Sequence, residues 1–524
     1  MTLLGILASV AIYAAWIGTF YGIFTIVYRI RFHPLRRCPG PLLGAITDAY
    51  GGYLAWRRSD HLAIHQLHEH YGSVVRLAPD RLVFNSLQAF QDIYQNPRCT
   101  KSFLYLYSRD KNQPTTFSTI EAEAHRERRK LISQPISQRA MRLFEPTMLK
   151  QIDIFLRQIY RSSSDGKVEN LTDRAEWLGI DIIGILSFGY HLNLQTDETY
   201  RFIPRSFADI KARINTFMQF PLLSWFAPVI TYFTEPEKDK LLKMVFMMMK
   251  SRAEREVDQD ADRDFDFYSH AKGSLDYGPE YFEYGEFMAE AAFFVTAGGT
   301  PPATVICALI FYLMRYPDCY GRLCEEIRTT FKSGNEIRGE GGGQLMGCRY
   351  LRACIDETMR MSPPSLTTLW REQDKDDTDD SPFIVDGLVI PRGVQVGMNM
   401  YSLHHNEDYF PDSFVFSPER WYDEGEEKKN VEQAFVPFLQ GTRSCAGKAM
   451  AYYEISLVVA KMLWYFDIES APGKAGELGE GIPGRRDGRH RVREYQMEDC
   501  NSATHDGPNV VFKLRSGVEA EFVE

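Results

Sequence analysis

The feature that most constrains this chain is a cysteine in a glycine-containing loop near its C-terminal end. Residues 438–447 read FLQGTRSCAG, and a helical pattern follows. Gly441 allows a tight turn, and Gly447 allows another group to approach the backbone closely. Backbone N–H groups at a helix start stabilise an anionic sulfur, and Arg443 adds a positive charge beside Cys445. The loop therefore predicts either a metal ligand at Cys445 or a structural cysteine beside a turn.

The N-terminal segment is long and apolar enough to cross a membrane. Residues 1–28 contain no charged side chain, whereas Arg29, Arg31, Arg36 and Arg37 follow closely. A spanning helix needs about 20 apolar residues, and a cleaved signal peptide would place basic residues before the apolar run. We therefore expect a retained transmembrane anchor with the remaining chain in the cytosol. A buried core helix is the alternative.

A short connector and one large body follow the apolar segment. Residues 29–41 form a basic, proline-rich connector, since proline cannot continue a helix. The body comprises residues 42–524. The whole chain has 44% hydrophobic and 25% charged residues, as in globular proteins. Within the body, residues 76–84 predict a hairpin of two short strands. Residues 121–332 predict mostly helices, because apolar side chains recur every three or four positions.

Charge and cysteine content argue against several classes of protein. The 60 basic and 70 acidic side chains give a net charge of −10, so no nucleic-acid partner is expected. The nine cysteines are scattered and form no C-x-x-C pair, so neither a zinc ribbon nor a disulfide framework is indicated. A reducing compartment fits best for the bulk of the chain.

The cysteine loop resembles the haem-binding signature of the cytochrome P450 family, F-x-x-G-x-R-x-C-x-G, at every fixed position. The HPL and PGP triplets of the connector resemble the start of fungal members. The resemblance implies the P450 fold, a mainly α-helical domain with small β-sheets that binds haem b (iron protoporphyrin IX). Cys445 is then the axial thiolate ligand of the iron, with Phe438 and Arg443 as further haem-binding residues.

A second motif lies ahead of the loop. Glu357 and Arg360 are one helical turn apart and precede two prolines, whereas Glu325–Arg328 has the same spacing without that context. The first pair resembles the K-helix pair of the family, and Arg420 in the run PERW resembles its third member. The resemblance implies that Glu357, Arg360 and Arg420 form a buried ionic lock behind the haem loop.

Haem carries two propionates, so cations are expected near it. Arg443 is one candidate, and Arg371 resembles the propionate arginine that follows the K helix in the family. His125 and Arg129 lie four residues apart on one predicted helix face, where the family usually has tryptophan and arginine. For His125 the alternative is a solvated helix position. The basic run 125–130 resembles a docking face for a flavoprotein reductase, and a plain solvated face is the alternative.

The predicted central helix departs from the family pattern. Residues 287–314 contain AGGTPPAT, which resembles the oxygen-binding A-G-x-(D/E)-T-T segment. Ala297 and Gly298 match it, but Thr300 stands at the acid position and Pro301 at that of the proton-relay threonine. Because proline removes a helical hydrogen bond, we expect a kink whose freed carbonyls bind water, with Thr300 in a replacement relay. Alternatively, Thr300 is an ordinary helix residue and the kink only shapes the pocket.

Aromatic and apolar segments supply candidates for the pocket. We expect substrate-lining residues at 103–107, at Phe293 and Phe294, and at 366–369, although each could equally belong to the core. Residues 220–233, FPLLSWFAPVITYF, are apolar with two prolines. They fit a core segment, a mobile lid or a second membrane contact.

The resemblance implies an endoplasmic-reticulum monooxygenase that inserts one atom of O₂ into a lipophilic small molecule. Electrons would come from NADPH through a separate NADPH–cytochrome P450 reductase, since the chain has no Rossmann-type fingerprint. Fungal-type members often serve secondary metabolism, so a terpenoid, polyketide or alkaloid substrate is expected. The altered relay leaves two alternatives. One is oxidative coupling, dehydration or rearrangement without simple hydroxylation, and the other is a non-catalytic membrane-anchored haem protein.

Overall fold

The computed structural model describes residues 3–109, 113–133, 136–163, 166–255, 266, 286–339, 343–422, 426–519 and 521. Helices dominate these residues, and the predicted mainly α fold with small sheets is confirmed. In chain order the α-helices are α1 Leu3–Arg31, α2 Leu42–Ile46, α3 Ala49–Trp56, α4 Asp60–Tyr71, α5 Leu87–Tyr94, α6 Ala122–Ser133, α7 Gln138–Ser163, α8 Leu171–Phe188, α9 Ile203–Gln219, α10 Ala227–Thr234, α11 Lys238–Arg255, α12 Glu286–Arg315, α13 Pro317–Thr330, α14 Gln344–Gly347, α15 Arg349–Met361, α16 Met400–His404, α17 Glu426–Ala434 and α18 Lys448–Tyr465.

The strands are short and form small sheets. They are β1 Val74–Ala78, β2 Arg81–Phe84, β3 Cys99–Lys101, β4 Val168–Asn170, β5 Arg371–Gln373, β6 Ile384–Val385, β7 Leu388–Val389, β8 Gln395–Met398, β9 Phe466–Ser470, β10 Met497–Cys500, β11 Ser502–His505 and β12 Asn509–Leu514. A five-stranded sheet has the order β1-β2-β8-β5-β3, and a three-stranded sheet has the order β4-β12-β9. The predicted hairpin over 76–84 is confirmed, because β1 and β2 pair antiparallel around Pro79 and Asp80.

Helix α12 is the core of the molecule. It runs one residue beyond each predicted end and keeps both Pro301 and Pro302 within a single helix. An 18-residue window within Ala289–Arg315 has a mean hydropathy of 1.6, and 72% of that window is buried. A helix that is apolar on all sides must be covered on all sides, and α8, α15 and α18 pack against it.

The helical prediction for 121–332 is confirmed where the structure describes it. Helices α6 to α13 lie there, interrupted by strand β4 and short 3₁₀ turns. Residues 256–265 and 267–285 belong to the same prediction and lie outside the described residues.

The N-terminal helix differs in length from the predicted anchor. α1 continues to Arg31, and the stretch Ser9–Arg31 has a mean hydropathy of 1.8 with none of it buried. The alternative of a buried core helix is therefore wrong. The connector is held to the body, since Arg76 Nη1 donates to the Arg29 carbonyl at 3.1 Å and His33 Nε2 lies 3.0 Å from Asp80 Oδ1.

Residues 220–233 form a second exposed apolar surface. They comprise the 3₁₀ helix Pro221–Phe226 and helix α10. Trp225 is 83% exposed and Tyr232 is 78% exposed. A core segment would bury such side chains, so the core interpretation is wrong, and the mobile lid and the second membrane contact both remain.

Candidate functional site

A central cavity of about 920 Å³ lies between α12 and the cysteine loop. Its walls include Cys445 from the loop, and Ala297 and Gly298 from α12. Most other lining side chains are apolar, among them Ile183, Phe207, Ile210, Ile214, Phe293, Phe294 and Leu369. A large apolar cavity with a few polar groups is the usual form of a small-molecule site.

The cysteine loop is closed by its own backbone. The N–H of Cys445 donates to the carbonyl of Phe438 at 2.8 Å, and Arg129 Nη1 donates to the carbonyl of Ser444 at 2.5 Å. Gly441 has φ +77°, and a Cβ there would lie 2.7 Å from the Tyr94 carbonyl oxygen, so only glycine fits. The loop thus presents its sulfur at a fixed position ahead of α18.

The thiol of Cys445 is exposed to the cavity and otherwise surrounded by protein. Burial raises its pKa, whereas the backbone N–H groups of Gly447 and Lys448 and the charge of Arg129 lower it. The predicted anion-stabilising helix start is therefore present. A Cβ on Gly447 would lie 3.9 Å from Cys445 Sγ, beside the space into which the sulfur points.

Several basic side chains line the same cavity, and five of them act on one another electrostatically as one group: Lys101, His125, Arg129, Arg371 and Arg443. Most of their bonds go to neutral oxygens. Lys101 Nζ donates to the Phe117 carbonyl at 2.7 Å, Arg443 Nη2 to the Ile120 carbonyl at 2.6 Å, and Arg371 Nη1 to Tyr105 Oη at 3.1 Å. The four predicted propionate partners thus lie together, and His125 is only 4% exposed.

These basic groups destabilise one another's charge. Burial and the neighbouring Arg371 and Arg443 hold the pKa of Lys101 well below its usual value. Burial and Lys101 lower the pKa of His125 to about 3, and burial and Arg371 lower that of Arg443 to about 10. A group of buried cations is stable only beside an anion. Two carboxylates next to the thiol would supply it, so the site fits haem.

The predicted ionic lock is assembled behind the loop. Glu357 and Arg360 are both fully buried, and Arg360 Nη2 donates to Glu357 Oε1 at 2.8 Å. Arg420 Nε and Trp421 Nε1 donate to the same carboxylate at 3.1 and 3.2 Å. Burial would raise the pKa of Glu357, but Arg360 and Arg420 together hold it below its usual value.

The rival pair at Glu325–Arg328 is not a lock. Arg328 instead donates to Asp467 Oδ1 at 2.7 Å, and Glu325 is exposed. The two prolines after Arg360 were therefore the sequence feature that distinguished the correct pair from the rival pair.

The three residues predicted on α12 are not equivalent. Ala297 and Gly298 line the cavity, but a Cβ on Gly298 would lie 2.5 Å from Ile183 Cδ1, so this glycine also permits α8 to approach. Thr300 is 3% exposed, and its Oγ1 accepts a hydrogen bond from Lys211 Nζ at 3.1 Å. The structure thus gives Thr300 a lysine partner that the sequence did not indicate.

The pocket candidates fall into two groups. Tyr105, Phe293, Phe294 and Leu369 line the cavity, whereas Leu104 and Leu366 are fully buried in the core. The segments 103–107 and 366–369 therefore supplied both lining and core residues, whereas Phe293 and Phe294 both line the cavity.

Sequence reasoning missed Lys101 and Lys211, which both line the cavity. A signal for Lys211 existed, because it lies four residues after Phe207 and three before Ile214, on the apolar face of α9. No comparable pattern marks Lys101, which ends the short strand β3.

A cavity-facing thiolate loop, a group of basic side chains beside it and a buried ionic lock behind it are together typical of a haem-thiolate oxidoreductase. The chain belongs to the cytochrome P450 family, whose sequence model matches residues 39–480. It is therefore a P450 monooxygenase of fungal type, and members of this family bind haem through a cysteine thiolate.

Similar proteins come from fungi. The chain is 34% identical over 498 residues to the cytochrome P450 monooxygenase poxM of Penicillium oxalicum, which covers 93% of this chain and 92% of that protein. It is 31% identical over 504 residues to the cytochrome P450 monooxygenase AKT7 of Alternaria alternata, with 93% and 94% covered. It is 29% identical over 539 residues to atnE of Emericella nidulans, with 97% and 98% covered.

Proposed function

We propose that this protein is a membrane-anchored haem-thiolate monooxygenase that inserts one atom of O₂ into a lipophilic small molecule. The observation that carries the proposal is the thiol of Cys445 opening into an apolar cavity of about 920 Å³ beside a group of basic side chains. Haem b, when bound with Cys445 as its axial ligand, supplies the redox chemistry that activates dioxygen.

The protein's own residues hold and orient this group. The N–H groups of Gly447 and Lys448 stabilise the sulfur anion. Arg371, Arg443, Arg129 and His125, with Lys101, are placed to bind the two propionates. Phe438, whose ring centroid lies 5.3 Å from that of Tyr452, covers the loop side of the cavity.

Electrons come from NADPH through a separate NADPH–cytochrome P450 reductase, as is general in the family. The contribution of α6 to docking that reductase is small in this proposal. Arg126 pairs with Glu123, and Lys130 Nζ lies 2.7 Å from Glu127 Oε1, so acids one turn earlier offset the exposed basic charge.

The enzyme resides in the endoplasmic-reticulum membrane with its catalytic body in the cytosol. Three features support this location: the exposed apolar α1, the arginines that follow it, and the exposed apolar surface of 220–233. The fungal relatives support a role in secondary metabolism with a terpenoid, polyketide or alkaloid substrate.

The test is a carbon-monoxide difference spectrum of full-length protein in membranes. We expect a strongly red-shifted Soret band after reduction by NADPH plus reductase. A band with a chemical reductant, but none with NADPH plus reductase, would favour a reductase-independent rearrangement or dehydration. Absence of the band under both conditions would contradict the haem-thiolate assignment. Bound haem without consumption of any electron donor during substrate screening would favour the non-catalytic haem protein.

A further inference from the structure

A buried lysine of α9 faces the central cavity. Lys211 is 7% exposed and lines that cavity. Its Nζ donates to Ser502 Oγ at 2.6 Å and to Thr300 Oγ1 at 3.1 Å. Both partners are neutral hydroxyls, and no carboxylate among the described residues forms a salt bridge with this ammonium.

Such an arrangement leaves the charge of the ammonium only partly compensated. A buried ammonium is stable when an anion lies beside it, and hydroxyl oxygens do not replace that anion. Burial lowers the pKa of Lys211, with Cys500 and the carboxyl of Glu176 acting in the opposite sense. Burial also raises the pKa of Glu176, and the charge of Lys211 lowers it, so the two groups interact electrostatically without forming a salt bridge.

The wall around Lys211 is distinct from the basic group at the cysteine loop. The charges that act on Lys101 are those of Arg371, Arg443, Glu290 and Arg129. Those that act on Lys211 are Cys500 and Glu176. Lys211 bonds to Thr300 on α12 and Ser502 on β11, whereas Lys101 and Arg443 bond to the carbonyls of Phe117 and Ile120, so a ligand at the Lys211 wall would not compete with the haem propionates.

The same wall contains further polar groups and an apolar approach. Asn501 and Ser502, at the turn between β10 and β11, line the cavity next to Lys211. Most of the remaining lining from α9 and α12 is apolar and includes Phe207, Ile210, Ile214 and Phe294; the exceptions are Thr296 and Arg213, which forms a salt bridge with Glu235. A buried cation that forms no salt bridge with the described residues and has hydrogen-bonding groups beside it, at the edge of a mostly apolar cavity, suits a molecule with a single acidic group.

We propose that the substrate is a lipophilic carboxylic acid, whose carboxylate pairs with Lys211 while its apolar body fills the cavity toward Cys445. This inference rests on the proposed monooxygenase function and specifies its substrate class. Ser502 is a positioning residue in this account, because its hydroxyl holds the ammonium toward the cavity.

The test compares an acid with its neutral ester on the haem-loaded full-length protein. Dodecanoic acid and methyl dodecanoate are titrated separately, and each dissociation constant is measured by the substrate-induced change in haem absorbance and by calorimetry. We expect Lys211→Gln to lower the preference for the acid over the ester by about ten-fold or more, leaving ester binding unchanged. Comparing this ratio between variants cancels the different membrane partitioning of the two probes.

Lys243→Gln is the matched control, because Lys243 lines the same cavity but is exposed. It should keep the wild-type ratio. Ser502→Ala should lower the ratio less than Lys211→Gln, and it provides the test if the lysine variant does not fold. The inference is overturned if Lys211→Gln weakens acid and ester alike, or if Lys243→Gln has the same effect. An intact red-shifted carbon-monoxide band without any acid preference would refute only the substrate class, whereas loss of that band would refute the proposed function.

Discussion

The ionic lock behind the cysteine loop and the Lys211 wall of the cavity differ in how their buried charges are compensated. In the lock, the carboxylate of Glu357 receives both Arg360 and Arg420 at 3.1 Å or less, so opposite charges lie in direct contact. On the wall, Lys211 donates to the hydroxyls of Thr300 and Ser502 and forms no salt bridge with any carboxylate among the described residues. A charge matched by the protein itself serves the fold, whereas a charge that lacks a matching ion is available to a ligand.

The largest expected effect is on the lock. Glu357→Gln leaves two buried guanidinium groups without a counter-charge and should cost about 3–5 kcal/mol of unfolding free energy. Denaturant unfolding and the haem-to-protein ratio of the purified protein measure this loss. Glu325→Gln is the control, since Glu325 has the same spacing to an arginine but is exposed. Equal stability of the two variants would contradict the structural role of the lock.

The second-largest expected effect is a loss of unfolding free energy at acid pH, in the same region. His404 is fully buried, and its Nε2 accepts the N–H of Val436 at 3.1 Å. Burial and Arg360 lower its pKa to about 3, so the unfolded chain takes up this proton at higher pH. Stability is therefore full above about pH 6.5 and falls as pH drops toward 3, by roughly 2 kcal/mol at pH 5.

His404→Gln tests the assignment of this acid sensitivity. Unfolding free energies at pH 7 and pH 5 should differ by about 2 kcal/mol less in the variant than in the wild type. The same pH dependence in both proteins would show that other groups are responsible.

A comparable but more local effect is expected where α8 meets α12. Gly298→Ala places a Cβ 2.5 Å from Ile183 Cδ1 and should destabilise the fold by about 1–3 kcal/mol. Gly321→Ala on α13 is the control, because nothing lies within 4 Å of its Cβ. Thermal unfolding compares them, and in an Ile183→Ala background Gly298→Ala should cost less than in the wild type, because alanine removes both contacting carbons, Cδ1 at 2.5 Å and Cγ1 at 2.8 Å. An equal cost in both backgrounds would contradict the packing explanation.

The smallest expected effect is on peroxide release, through Thr300 in the Lys211 wall of the cavity. If Thr300 takes part in a relay, Thr300→Ala should raise peroxide released per NADPH consumed by about five-fold or less, with stability and haem content unchanged. Thr304→Ala, one turn further along α12, is the control. An unchanged coupling ratio in Thr300→Ala would leave this threonine a structural partner of Lys211.

The cysteine loop and the ionic lock could be predicted from the sequence, because their residues lie close together in the chain at characteristic spacings. Cys445 and Gly441 share one loop, and Glu357 and Arg360 share one helical turn. The Lys211 wall of the cavity could not be predicted in the same way. Its central contacts join Lys211 to Thr300 and Ser502 across 89 and 291 positions of the chain, and only tertiary packing brings them together.

The apolar segments illustrate a second limit. The same mean hydropathy fits a buried or an exposed helix, as the 72% buried Ala289–Arg315 and the unburied Ser9–Arg31 demonstrate. For this reason the sequence left residues 220–233 open between core and surface. Burial depends on which other elements cover a helix, and that information is not local.

The most direct test of the account is the carbon-monoxide difference spectrum of Cys445→Ser beside the wild type. Both proteins are reduced chemically, so the result does not depend on the reductase. We expect a strongly red-shifted Soret band in the wild type and its loss in the variant, because serine cannot supply a thiolate ligand. The same red-shifted band in both proteins would contradict Cys445 as the iron ligand, and with it the central claim.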